Sequence, residues 1–221
     1  MKTWHFPKTG WLWPILIPVL ILIPIGGLAQ ELKAIRLPKP QTDIGRPLMQ
    51  VLNRRSSERS FSPEKLPAQV MANLLWAAFG VNRPDSGKRT APSAMNWQET
   101  DVYVATADGL YVYDAKENQL NPVLRDDVRA QTGTQSYVKD APLDLVYVAD
   151  LAKTGGASPD RDTYVAADVG FIAQNVYLFC ASEGLAVVVR GSIDRPALAK
   201  TMRLRSDQRI ILAQTVGYPR K

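Results

Sequence analysis

Between Arg54 and Phe61 the chain reads RRSSERSF, which brings three guanidinium groups and three hydroxyls into one short turn. Planar forks and short hydroxyl donors are the groups that hold a dianionic phosphate. The same composition also suits a solvated, charged helix terminus. A second run, Thr90 to Gln98 (TAPSAMNWQ), places Ser93, Asn96 and Gln98 at short intervals behind a stiffening Pro92. Amides and hydroxyls both donate and accept, as the edge of a heterocycle requires, although such loops also satisfy their own backbone. A third candidate is the pair Arg190-Gly191, which follows the unbroken apolar run Leu185 to Val189. A charge and a bare backbone at the mouth of a strand are placed to meet a ligand.

The residue inventory limits what chemistry these groups can do unaided. The chain has one histidine, His5, and one cysteine, Cys180. With His5 in the N-terminal segment, a Ser-His-Asp or Cys-His triad, a His/Cys zinc site and an internal disulfide are all excluded from the remaining chain. No GxGxxG follows a strand, no Walker A lysine occurs, and neither EF-hand nor HExxH spacing appears. The adjacent acids Asp126 and Asp127 lie on a polar stretch and read as solvated. If the protein is an enzyme, a cofactor or a carboxylate carries the reaction. The net charge of +6 is spread among acids without a Lys/Arg stripe, so nucleic acid is not an expected partner.

The elements that position these groups follow from periodicity. Helices are expected from Asp43 to about Asn53, with Leu48, Val51 and Leu52 inward, and from Pro67 to Gly80, with Val70, Met71, Leu74, Leu75 and Ala78 inward. Asn82 to Gln98 is a long polar loop of the kind that carries function. Asp101–Ala107 and Leu110–Asp114 form a hairpin across Asp108-Gly109, a short polar helix lies near Asp126–Gln131, and Leu143–Ala149 is a further strand. The helix ending at Glu183 buries Val169, Ile172, Ala173, Val176, Tyr177, Phe179 and Cys180 and stops at Gly184. The strand after it, Leu185–Val189, lacks polar alternation and reads as central to the sheet. A short helix capped by Ser192 and a last strand, Arg209–Val216, complete an α+β order with at least one crossover.

The N-terminus differs in kind. Lys2 and Lys8 precede the uncharged run Trp11 to Ile25, and Gly27-Leu28-Ala29 supplies small residues before Gln30. That is the pattern of a secretory signal peptide over residues 1–29. Prolines at 14, 18 and 24 disfavour a spanning helix, so the membrane is a partner only if this segment is retained as an anchor. Residues 30–42 then read as a linker and 43–221 as one domain, exported to the periplasm or secreted.

Four of these stretches together resemble one family. Arg55 to Phe61 resembles the R-x-S-x-R-x-F opening of the FMN-dependent nitroreductases, and Pro92 to Gln98 is similar to their P-S-x-x-N-x-Q segment. Asp168, Gly170, Gln174, Asn175, Gly184 and Leu185 resemble the family's long central helix and next strand, and Gly217-Tyr218-Pro219 resembles its closing strand. The hairpin Tyr103 to Tyr113, with Gly109-Leu110-Tyr111, resembles the branch of SagB-type and thiazoline-oxidising dehydrogenases.

The resemblance implies a central mixed β-sheet flanked by helices, with a long buried central helix and FMN as cofactor. It also implies a homodimer with FMN at the interface. Arg55, Ser57 and Arg59, with Ser56 between them, would hold the phosphate and ribityl side. Ser93, Asn96 and Gln98 would meet the ring, Val189, Arg190 and Gly191 would approach it mainly through backbone, and Arg220 would be a further phosphate contact. The activity implied is hydride exchange through flavin N5 between an electron donor, NAD(P)H being the usual one, and a small-molecule or peptide substrate. An exported flavin-binding or ligand-binding module without turnover is the alternative, and a membrane-tethered interaction protein with vestigial motifs is a third.

Overall fold

The computed structural model describes residues 1–5, 32–156 and 159–221. The expected leader run and its cleavage site lie outside the described residues. The chain divides into two compact units, Met1–Glu31 and Leu32–Lys221, and the second contains every element considered below.

Leucines, valines and tyrosines in alternation build a seven-stranded sheet in the order β1-β6-β5-β4-β7-β9-β8. The strands are β1 (Ile35–Arg36), β4 (Thr100–Thr106), β5 (Gly109–Asp114), β6 (Gln119–Leu124), β7 (Leu143–Asp150), β8 (Ala186–Arg190) and β9 (Gln208–Gly217). A separate two-stranded ribbon pairs β2 (Val81–Arg83) with β3 (Lys88–Arg89). The helices are α1 (Leu48–Arg54), α2 (Ala68–Phe79), α3 (Arg161–Glu183) and α4 (Arg195–Thr201).

Along β7 the side chains of Leu143, Leu145 and Tyr147 join the core that contains α2 and α3, while Val146 and Val148 join a second core beneath α4. Period-two alternation thus buries the strand on both faces.

The expected mixed sheet is antiparallel in every neighbouring pair of the large sheet. The crossover through α3 nevertheless exists. Both β7 and β8 pair antiparallel to β9, so they run parallel to each other with β9 inserted between them.

Several expectations shift for identifiable reasons. The strand after α3 is the last in the sheet, not central. It reads as fully covered because an extended segment outside the strands lies against its free edge: Glu58 N–H donates to Val187 O, and Phe61 bridges Pro219. The N-terminal helix begins at Leu48, after Pro47, instead of at Asp43. Asp194, not Ser192, caps α4 by accepting from Ala197 N–H.

The described part of the expected linker is fastened to the domain: β1 pairs with β6, Leu37 is buried, and Gln41 N–H donates to Asn73 Oδ1. The long helix behaves as its periodicity predicts, burying Val169, Ile172, Ala173, Val176, Tyr177 and Cys180, with Phe179 half-buried, and it ends in left-handed backbone at Gly184.

Candidate functional site

From Arg55 to Phe61 the chain is extended, and extended backbone sends alternate side chains to opposite sides. Ser57 and Arg55 turn toward α3, where the Ser57 hydroxyl lies 2.8 Å from Tyr177 Oη and the Arg55 guanidinium stands 5.4 Å from the centre of the Tyr177 ring. Ser56 turns the other way and donates to Glu58 Oε1 at 2.9 Å. Ser56 and Glu58 therefore line a separate recess with Arg54 and Gly184, apart from the Arg55-Ser57-Arg59 face. Arg59 is exposed and makes only a 3.5 Å contact with Ser57 O. Among the described residues neither Arg55 nor Arg59 has a carboxylate within 4.0 Å, while Arg220 is held by Phe61 O and by Asp140.

Tyr177, which sequence periodicity places only as core, joins this face to β8. Its hydroxyl accepts the Val189 N–H at 2.9 Å. It also shares a hydrogen bond with the Ser57 hydroxyl, in which either oxygen can donate. Alternation leaves the Val189 carbonyl and the Gly191 N–H on the free edge of β8.

The Arg190 side chain points the other way. Its guanidinium donates to Thr132 O, Thr132 Oγ1, Thr215 Oγ1 and Asp144 Oδ1, the last at 2.8 Å, and both charged groups are buried. Gly133 makes this possible, because a Cβ there would stand 2.0 Å from Arg190 Nη1. Burial pushes the Asp144 carboxyl up to about 7 against the pull of Arg190, and one of its oxygens, Oδ2, has no partner. The charge expected at the strand mouth is therefore an internal ion pair, and Arg190 is buried with its main chain paired to β9 at Ala213.

The second cluster is held under strain. Met95, Asn96 and Gln98 all have positive φ, at 49°, 57° and 49°. Left-handed backbone costs a non-glycine residue roughly 1–2 kcal/mol, and such clusters concentrate where geometry serves function. A relay fixes them: Arg89 Nε donates to Gln98 Oε1 at 2.8 Å, and Gln98 Nε2 donates to Asn96 Oδ1 at 3.1 Å. Both ends of the Gln98 amide are thus occupied, and Asn96 is left with its Nδ2 donors free.

Beneath this turn, Ser93 donates to Glu99 Oε2, and Asp168 Oδ2 accepts the Ala94 N–H at 2.8 Å. Glu99 and Asp168 are both buried. Burial raises both carboxyls above their ordinary range; the charge of Asp168 raises Glu99 further, and the Ala94 N–H tempers Asp168. Both carboxyls therefore hold their protons to higher pH than free carboxylates do.

The two clusters do not meet within one chain. One touches α3 at Asp168 and the other at Tyr177, nine residues on, which is about 13 Å along the axis. The outer face of α3 between them, Ala167, Gly170, Phe171 and Gln174, is exposed. Exposed beside α3, on α1, are Leu48 (59%), Met49 (76%) and Leu52 (44%), with Phe171 at 47%.

An antiparallel sheet with a split crossover, flanked by helices and bearing these two clusters, defines an α+β fold. The nitroreductase family profile matches residues 51–218. The chain belongs to the nitroreductase family, and its fold is the nitroreductase fold.

A crystallised Ralstonia eutropha protein assigned to the nitroreductases superposes with a TM-score of 0.82 at 45% identity, covering 86% of this chain and 90% of that one. MJ1384 of Methanocaldococcus jannaschii, assigned likewise, is 28% identical over 72% of this chain and 85% of its own length. A chain of the Escherichia coli microcin synthetase McbBCD complex shares the fold at 21% identity and a TM-score of 0.66, over 90% of this chain and 84% of that one. Family membership makes the protein an oxidoreductase.

Proposed function

We propose that the protein is an FMN-dependent oxidoreductase that works as a homodimer, passing hydride between a donor such as NAD(P)H and a small-molecule or peptide acceptor. The donor set suits the cofactor. Among the described residues Arg55 and Arg59 have no carboxylate counter-ion, the Ser57 hydroxyl lies on the same face, and Asn96 presents amide protons without a partner. FMN would supply hydride transfer at N5, which accounts for a domain without histidine. The residues Arg55, Ser57 and Arg59 bind the phosphate end, Gly191 N–H and the Val189 carbonyl meet the ring at the sheet edge, and Asn96 orients it.

The observation that carries the dimer is the separation of the two clusters along α3. A two-fold axis through the exposed stripe between Gly170 and Gln174 runs α3 against its copy. The Asp168 end of one chain then lies beside the Tyr177 end of the other, and Leu48, Met49, Leu52 and Phe171 are covered. Each site then takes Arg55, Ser57 and Arg59 from one chain and Asn96 from the other. We place the protein near the SagB-type branch on Gly109-Leu110-Tyr111, and propose export with cleavage after Ala29. An intact N-terminus on the protein purified from its own cells overturns the cleavage.

The test of function is the purified protein's affinity for FMN and for riboflavin, in wild type and Arg59→Ala. Charge-assisted bonds are worth about 1.5–3 kcal/mol each, so FMN binding should weaken at least about tenfold while riboflavin binding hardly changes. Equal losses for both ligands, or no loss, refute the phosphate assignment. Bound FMN that no donor reduces makes the protein a flavin-binding module instead.

A further inference from the structure

Three cations that the proposed function does not use gather around one recess. Arg83 and Lys88 of the β2–β3 ribbon and Arg89 beside them line a concavity of about 230 Å³ together with Pro92, Ser93, Asn96 and Gln98. Among the described residues none of the three has a carboxylate within 4.0 Å, although eight other basic side chains of the domain do. Like charges this close repel, and the folded chain holds them together without a counter-ion.

Part of each arginine is committed to the fold. Arg83 Nη2 donates to Arg89 O at 2.7 Å and its Nε to Asn82 Oδ1, while Arg89 Nη1 donates to Phe79 O. Arg83 Nη1, Arg89 Nη2 and the whole Lys88 ammonium remain. Burial lowers Arg89 from its ordinary value, so an anion beside it restores what desolvation removes.

The recess shares Ser93 and Asn96 with the turn assigned to the flavin ring. A molecule anchored in it extends to the ring position.

We propose that this recess binds the oxyanion, phosphate or carboxylate, of the second reactant, and so selects anionic donors or acceptors at the neighbouring flavin. The proposal rests on the flavin reading for the identity of the reactant, but the anion site itself does not.

The test uses the FMN-saturated protein, so that the cofactor's own phosphate site is filled, with inorganic pyrophosphate as probe at low ionic strength. Binding is followed by the fluorescence of Trp97, which lies in the same turn. Arg83→Gln/Lys88→Gln should weaken pyrophosphate binding at least tenfold. Lys88→Gln alone, which removes no hydrogen bond from the fold, should weaken it severalfold with melting temperature unchanged, and FMN affinity should be unchanged in both.

A wild type that does not bind pyrophosphate, or variants that bind it equally well, overturn the proposal. If the protein takes up no FMN, the flavin reading fails, and the same titration on the flavin-free protein still decides the anion site.

Two further arms identify the source of the anion. Slower anaerobic reduction by NADPH in the double variant places the donor in the recess. A raised KM for 4-nitrobenzoate but not for nitrobenzene places the acceptor there.

Discussion

Replacing Asp144 by alanine strands the Arg190 guanidinium in the interior with only Thr132 and Thr215 as partners. Removing one member of a buried pair typically costs about 3–5 kcal/mol, because the remaining charge stays desolvated. Replacing both, as Asp144→Leu with Arg190→Met, removes the charges together and should cost less than about 2 kcal/mol. The difference from additivity, read by urea unfolding of the four proteins of the cycle, should exceed about 1 kcal/mol.

Asp144→Asn adds a pH test. The folded-state value of Asp144 is raised from 3.8 to about 7, so the native state binds a proton that the unfolded chain has released. The Asp144 contribution is full below the unfolded value and is lost as pH rises toward 7. Asparagine cannot titrate, so the stability gap between wild type and Asp144→Asn should shrink from pH 4 to pH 7. A gap independent of pH, or an alanine variant within about 1 kcal/mol of wild type, refutes the account of this pair. FMN affinity should survive Arg190→Met with Asp144→Leu wherever the protein folds, because the side chain faces away from the proposed site.

Tyr177→Phe removes the acceptor of the Val189 N–H and the hydroxyl bonded to Ser57. It should cost about 1–3 kcal/mol in stability and weaken FMN more than riboflavin; an equal effect on both ligands contradicts the Ser57 orientation. Asp168→Asn removes one of the two buried carboxyls and leaves Glu99 beside a neutral amide. Both carboxyls are raised in the fold, so wild type loses stability as pH climbs above the ordinary carboxylate range. The variant should lose less over the same climb, as thermal melting at pH 5 and pH 8 would show, and parallel profiles would count against the raised titration of this pair.

The sequence carries the fold well where one face decides the pattern. The inward positions of α3 and the hairpin β4–β5 follow from periodicity because each burial partner is an apolar surface, whatever its identity. Position in the sheet is less legible. A strand at the edge reads as central when an extended segment covers its rim, and nothing in Glu58 or Phe61 marks them as that cover.

The site divides along similar lines. Ser57, Arg59 and Asn96 are legible as donors in short runs. Arg190 is not, because its partners, Thr132, Asp144 and Thr215, lie far away in the chain and are chosen by strand register. Gln98 likewise reads as a ligand contact, while Arg89, nine residues earlier, takes its carbonyl. A basic residue preceding a Pro-Ser turn would have been the signal for that relay. Tyr177 hides among apolar neighbours because only the far end of its ring is polar.

The extended run from Arg55 to Phe61 has a genetic consequence. Substitutions at Ser56 touch the recess it shares with Glu58, apart from the proposed phosphate face. Deleting or inserting a single codon anywhere in the run would exchange the two sides, turning Ser56 and Glu58 toward Tyr177 and Phe61 out of its pocket. A two-codon change would restore the alternation. Viable length variants of this segment should therefore come in steps of two, a parity rule that a library of insertions could read directly from the survivors.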